Sequence, residues 1–436
     1  MRTIIPSPLV RGAGLLALML LGPALAVAAE SKKSAGVARC VSDENLLLRR
    51  EAESQPWRVV SVNEDLGPGQ LLVGGAGAAL QSRNGAVRLS FLGELAGSAK
   101  YPVRETAVVL HDSKEVDLDV TLDRGRIDLV NRKAKGPARV RVRIRNRAGE
   151  IVLAEPGARL AVEIYGRWLP GVPFRKKPRP GEAPALAVLA VALAGEVEIR
   201  GKEKHFFLEG PPGPALLHAE NLDDPDVAPV RLDKLPEWAT GEETERTMKL
   251  KALATGFRRT AREKSVGAAI DELLRSDDAL ARQAAVYLMG ATDDLRRLGE
   301  ALVGAKHADV WDTGVLALRH WIGRGPGQDQ KLYQALIQGA KMPASQAETV
   351  LELLHGFSED DLKRPITYQA LLVLLESDRL AIRGLAHWHL QRLAPQGRDF
   401  GYDPLASKEQ REVALKKWQK LIPLGTVPIS GWTTGK

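Results

Sequence analysis

The sequence predicts a multidomain, all-β plus all-α chain, a β-sandwich or β-solenoid domain followed by an α-helical repeat domain. Three observations carry this. From Pro56 to about His218, apolar and polar residues alternate in short runs separated by Gly, Pro and Asn. After about Glu243 the apolar residues recur at three and four. Between them "ENLDDPDVAPVRLDKLPEWATGEE" is acidic and proline-bearing, the composition of a linker.

The chain has 436 residues, long enough for two or three domains, and its 44% hydrophobic content supports large cores. Arg2 and Arg11 lie in a short basic lead ahead of the apolar run "GAGLLALMLLGPALAVAA". Ala26 and Ala28 fit the small-x-small cleavage rule, so residues 1–28 read as a secretory signal peptide. The alternative is an uncleaved N-terminal membrane anchor of marginal length. Either way the body is expected outside the cytoplasm, periplasmic or associated with the cell envelope. Loss of Arg2 and Arg11 with the leader lowers the formal charge from +8 to +6. That modestly basic balance suits anionic lipids and glycans, and the compartment argues against nucleic acid. Cys40 is the single cysteine, so there is no disulfide framework. It reads as a free thiol in a flexible lead.

Residues 29–55 are expected to form that lead, with "NLLLRREAE" as a short helix. Residues 56–222 are the all-β domain. Its runs include "WRVVSV", "GAVRLSFLG", "TAVVLHD", "EVDLDVTLD", "RIDLVN", "ARVRVRIR", "EIVLAE", "ARLAVEIYG", "ALAVLAVAL", "GEVEIRG" and "KHFFLEG". Pro137, Pro156, Pro170 and Pro173 fall between runs, where a missing N–H costs no ladder bond. "PFRKKPRPGEAP" reads as a basic, Pro-rich loop.

Within this domain, Glu115, Asp117, Asp119 and Asp123 alternate with valines and leucines, and so do Arg139, Arg141, Arg143, Arg145 and Arg147. Alternate side chains of a strand share a face. The arginines are therefore a candidate anion-binding face, repeating about every 7 Å. The competing reading makes the acids their structural partners on a neighbouring strand, where each opposite-charge pair contributes about 0.2–1 kcal/mol. "GRIDLVNRK" is a candidate intervening strand able to pair with both.

Residues 223–242 read as the linker, 243–422 as the helical domain and 423–436 as a tail. Apolar spacing places helices at 244–258, 266–275, 278–290, 293–304, 309–322, 328–340, 344–356, 367–376, 379–393 and 408–421. Asp277 and Asp278 precede one and Gly290 follows it; Ser407 opens another. Four segments align, "LARQAAVYL", "VWDTGVLAL", "SQAETVLEL" and "LAIRGLAHW", on Ala285, Val315, Val350 and Ala386. Their spacing suits HEAT-like helix pairs stacked as a short solenoid, whose extended surface points to a protein partner.

Recognised reaction chemistry is sparse. No G-x-S-x-G, Walker loop or H-E-x-x-H occurs. His387 and His389 flank Trp388 on one helix, two apart and hence on different sides, which suits packing and not a shared metal. His111, His205 and His218 are scattered. No catalytic residue, metal site or cofactor is therefore assigned. "GGAGAAL" reads as a turn, "GRGPGQ" as an inter-helix loop and Glu359-Asp360-Asp361 as a helix N-terminus. Trp311, Trp321, Trp388 and Trp418 are expected to pack between repeats. Tyr165 and Trp168, at a strand end, are candidate surface aromatics for sugar or peptide contact, against a favoured reading in which they pack in the core or at the strand end.

The β region resembles FecR-type extracytoplasmic domains. The residues that carry the resemblance are "GPGQLLVGGAGAALQSRNGAVRLSF", "VDLDVTLDRGRIDLVNRK" and "VLAVALAGEVEIRGKEKHFFLEGPPG". They include a leucine-x-x-Gly-x-hydrophobic step from Leu122 to Ile127 and a G-x-V-x-I step from Gly195 to Ile199. Together with "IRGLAHWHLQRLAP" and "YDPLASKEQREVALKKWQKLIP", the chain is similar to secreted planctomycete-type proteins carrying a FecR-like part and a helical repeat. The resemblance implies a non-enzymatic envelope protein. Its β domain would sense or bind an envelope component such as an anionic glycan or lipid, and its helices would contact a protein. FecR proteins also cross the inner membrane and touch a sigma factor from the cytoplasm. Here about a dozen residues precede the apolar run, which departs from that pattern. A regulator of extracytoplasmic signalling acting through a separate membrane partner is the alternative, and a cryptic envelope hydrolase a third.

Overall fold

The computed structural model describes residues 36–43, 45–93, 105–202, 204–221, 226–240 and 245–428. The signal-peptide reading of residues 1–28 lies outside them. The period-two runs form strands β1 (Ala38–Cys40), β2 (Leu47–Arg50), β3 (Arg58–Val59), β4 (Asp65–Leu66), β5 (Leu71–Gly74), β6 (Ala79–Ser82), β7 (Val87–Leu92), β8 (Thr106–His111) and β9 (Leu118–Asn131). They continue as β10 (Ala138–Ile144), β11 (Arg147–Leu153), β12 (Arg159–Arg167), β13 (Ala185–Ala194), β14 (Glu196–Arg200), β15 (His205–Glu209), β16 (Gly213–Ala219) and β17 (Val230–Leu232). The helices are α1 (Glu237–Thr240), α2 (Glu245–Glu263), α3 (Val266–Leu274), α4 (Ala279–Ala291), α5 (Leu295–Gly304) and α6 (Ala308–Gly323). After them come α7 (Gln328–Gln338), α8 (Ala344–His355), α9 (Glu359–Leu362), α10 (Pro365–Leu374), α11 (Leu380–Leu393), a 3-10 turn at Pro395–Phe400 and α12 (Lys408–Leu421). The architecture is β followed by α.

Two sheets enclose one apolar core. One runs β4-β1-β6-β7-β9-β12-β13-β16-β17. The other runs β3-β2-β5-β8-β9-β10-β11-β14-β15. Leu72, Val108 and Leu122 from the second meet Leu80, Leu89 and Ile127 from the first in a single cluster. Strand β9 belongs to both sheets. It bends at Gly125, whose φ of +86° and approach to Thr106 (an added Cβ would lie 2.6 Å from its Cα) exclude a side chain. The Leu122-to-Ile127 step therefore straddles the bend and aims both residues at the core from opposite sheets, each 0% exposed.

The first expectations to be corrected are at the N-terminus. "NLLLRREAE" is not a helix, and the stretch is not a loose lead. Leu47–Arg50 is strand β2, paired with β3 and β5. Its leucines run consecutively because both faces are covered. Leu47 enters the sandwich core, and Leu46 and Leu48 enter the core formed with the helices. Burial on both faces removes the polar alternation that marks a half-exposed strand. Cys40 is likewise 1% exposed within β1. The stretch read as linker holds β17 and α1, whose Leu232, Leu235 and Trp238 pack over Ala161, Val191 and Leu193.

The ten long helices follow the apolar spacing, because that spacing needs only neighbours one turn away. Asp278 caps α4 through the Leu280 N–H, and Ser407 forms a capping box with Gln410 on α12. Helix α4 runs one residue past Gly290 to Ala291. Helix α4 packs on α6, α6 on α8 and α8 on α11. Their aligned positions Ala285, Val315, Val350 and Ala386 are all 0% exposed. No helix among the described residues is long and apolar enough to cross a membrane.

Candidate functional site

The arginine ladder lies between two acidic neighbours. Strand β10 runs parallel to the first half of β9, with Arg141 opposite Asp119, and antiparallel to β11, with Arg141 opposite Glu150. "GRIDLVN" does not intervene, because it is the second half of β9 and pairs in the other sheet. Arg143 grips Asp119 with two bonds at 2.8 and 2.7 Å, and Arg141 donates to Glu115 at 2.7 Å. Arg139 makes a two-pronged pair with Glu150 at 3.0 and 2.9 Å. Asp117 accepts from Asn84 and from the Arg139 backbone N–H, and Lys133 lies 2.8 Å away. Asp123 is held by Arg124. Burial pushes the Asp117 carboxyl up, but these donors outweigh it and leave it below the usual carboxylate range. Arg145 is not on the face: it sits in the β10–β11 turn at φ +52° and donates to the Pro184 carbonyl. Arg147 opens β11 opposite Ile144. The candidate anion face is thus largely occupied by the protein's own carboxylates.

The surface aromatics divide. Trp168 is 7% exposed, stacked on His355 at 4.7 Å and buried among the helices. Its candidate surface role is corrected and the packing reading holds: the chain after β12 dives between helices that a sequence reading cannot place beside it. Tyr165 is half-buried, stacks on His320 at 5.4 Å and lines a cleft of about 250 Å³ with Ala187, Leu189, Leu216 and His218. A second cleft, about 420 Å³, lies between α2 and Asp43 and is lined by Arg258, Arg259 and Arg262.

The densest chemistry is at the joint between sheets and helices. Arg124 of β9 bonds Glu105 at 2.8 Å and the Ala291 carbonyl of α4 at 2.8 Å. Arg324, just after α6, bonds Glu105, Asp293 and the Gly290 carbonyl. Asp293, at φ +58° between α4 and α5, also takes Arg50 of β2 at 3.0 Å. Trp57 donates to the Thr292 carbonyl, and the Arg50 guanidinium lies over its ring. Burial pushes the Glu105 carboxyl up, but Arg324 and Arg124 pull it further down, below its ordinary value. Asp293 behaves the same way under Arg124, Arg324 and Arg50. These groups bind one another across the joint, so the cluster is a weld between the two halves. Sequence reading missed it because its members come from β2, β9 and two inter-helix turns.

The buried histidines pack into the helical half. His355 bonds the Val172 carbonyl, with Asp329 3.5 Å from its other nitrogen. His389 bonds the Leu353 carbonyl, and His387 packs against Tyr402 and Trp418. Burial lowers His387 to about 4 and His389 to about 3. Trp311, Trp321 and Trp418 are buried between helices as expected, whereas Trp388 is half-buried beside Arg319 and Arg392. Among the described residues no three His, Cys, Asp or Glu side chains are grouped to hold a metal. No family model matches the chain, and no match exists among the curated proteins or the solved structures compared.

Proposed function

We propose that the chain is an exported, non-enzymatic envelope protein whose FecR-like β half senses or binds an envelope component and whose HEAT-like helical half contacts another protein. The observation that supports this best is the stacking of α4, α6, α8 and α11 on equivalent, fully buried positions. A stack of this kind spends its apolar face internally and offers an extended outer surface for contacts. The use of the buried His, Asp and Glu groups as packing and welding elements favours a binding role over a reaction. The self-paired arginine ladder shifts the expected ligand contact of the β half away from β10.

The test uses the full chain, because β2, β5 and β8 share one core with the helices. A photo-crosslinking residue is placed at Val373 on α10 (69% exposed) and, separately, at Arg139 on β10. Irradiation with envelope extract should yield a defined protein adduct from position 373. Adducts restricted to glycan or lipid, or turnover of an envelope polymer, would refute the helical contact role.

A further inference from the structure

Several buried or half-buried arginines of this chain meet a carboxylate, among them Arg124, Arg126, Arg282, Arg297 and Arg324. Half-buried Arg319 on α6 and its exposed neighbours Arg392 on α11 and Arg398 in the 3-10 turn have no carboxylate within ion-pair distance among the described residues. Arg319 and Arg392 flank Trp388, whose ring centroid lies 3.6 Å from the Arg392 Cζ and 5.0 Å from the Arg319 Cζ.

Each guanidinium has a local bond. Arg319 donates to the Leu354 carbonyl, Arg392 to the Trp388 carbonyl at 2.9 Å and Arg398 to the Gln391 carbonyl at 3.0 Å. The Leu354 and Gln391 carbonyls lie in the last turns of α8 and α11, where the helix dipole favours cations. That accounts for one donor apiece out of the five a guanidinium carries. It does not account for three cations brought close together. Partial desolvation of its head group, and then repulsion from Arg319 and Arg398, draws Arg392 down to about 10, and Asp312 on α6 counters this only from beyond bonding distance. Like charges held together without a counter-ion are costly unless a ligand supplies one.

We propose that the Arg319–Trp388–Arg392 corner of the helical stack is the docking point for an acidic peptide segment of a protein partner. The proposal rests on the protein-contact reading above and names the chemistry of that contact. Carboxylates would take the remaining N–H donors in the two-pronged geometry that guanidinium favours. An apolar residue beside them would lie against the half-buried indole, and Trp and Arg are the side chains that most often dominate such contacts.

The test titrates the full chain with a fluorescent peptide alternating glutamate and leucine, read by anisotropy. Arg392 and Arg398 are exposed, so Arg392→Ala and Arg398→Ala should melt with the parent. Arg392→Ala should weaken the peptide about tenfold, the equivalent of one charge-assisted hydrogen bond. Arg392→Lys should recover part of the loss, and Arg139→Ala should change nothing. Equal affinity of parent and Arg392→Ala, or no binding by either, overturns the proposal. So does competition by inorganic polyphosphate at lower concentration than unlabelled peptide. If the peptide fails while position 373 still crosslinks a protein, the docking chemistry is wrong and the partner-binding role stands.

Discussion

Gly166 of β12 and Gly323 at the end of α6 meet backbone to backbone. A side chain on Gly323 would place its Cβ 2.8 Å from the Gly166 carbonyl carbon and 2.9 Å from the Arg167 Cα. A side chain on Gly166 would come 3.0 Å from the Gly323 carbonyl carbon. At these two positions sheet and helix come too close for any residue but glycine. Arg324, which bonds Glu105 in the weld, directly follows Gly323, so close approach and charge act on the same joint.

Gly323→Ala is accordingly expected to destabilise the chain by about 1–3 kcal/mol, the usual cost of overpacking where the neighbours are backbone. Gly325→Ala, two residues on, meets nothing within 4 Å and should be nearly neutral. Urea denaturation of the two variants checks this, and equal midpoints would refute the joint.

The ladder predicts a contrast between two arginines. Asp119 is 2% exposed and takes both prongs of Arg143, so Arg143→Ala leaves a buried carboxylate with only the 3.5 Å contact to Arg141. A loss of about 1–3 kcal/mol is expected. Arg139 pairs at the surface with Glu150, where solvent screens the pair, and Arg139→Ala should cost clearly less than Arg143→Ala. A larger loss for Arg139 than for Arg143 in denaturant titration would invert the reading.

Glu105 gives the joint an acid limb. Its folded pKa lies below the ordinary 4.5, so its contribution is full above about pH 4.5 and lost as pH falls through the lower folded value. Asp293 adds in the same direction from its ordinary 3.8. Glu105→Gln should lower stability at pH 7 and flatten the loss below pH 4.5. A parent-like acid limb in Glu105→Gln melts would place the acid sensitivity elsewhere.

His387 acts over a higher window. Its folded pKa of about 4 lies below the ordinary 6.5, so the unfolded chain takes up the proton first. Stability is full above pH 6.5 and falls toward pH 4, by about 1.4 kcal/mol per pH unit for one such proton. His387→Phe keeps a ring against Tyr402 and Trp418 and should reduce that slope. An unchanged slope between pH 6.5 and 4 would show that His387 is not the titrating group.

Much of the fold was legible, for local reasons. A helix face is written in residues three and four apart, and a half-exposed strand in alternate residues, so α3 to α8 and β7 to β13 could be located from the chain alone. Strands β1, β2 and β5 were harder. Leu46, Leu47 and Leu48 are apolar in succession because two different cores claim them. Trp168 stood between a surface and a packing reading because nothing near it in sequence reveals that His355 will lie against it.

The sequence by itself determined the kinds of element, their order, the repeat positions Ala285, Val315, Val350 and Ala386, and the presence of an acidic and an arginine-bearing strand. Only the tertiary structure decided which charges meet. The bend at Gly125 sends one half of β9 alongside β10 and the other half into the opposite sheet, so Asp119 neutralises Arg143 while Asp128 faces Arg159. The same long-range folding left Arg319 and Arg392 together at Trp388 without a carboxylate in ion-pair distance among the described residues. Periodicity depends on neighbours within a turn or a pleat. Pairing depends on which distant segments close upon one another, and no local pattern encodes that.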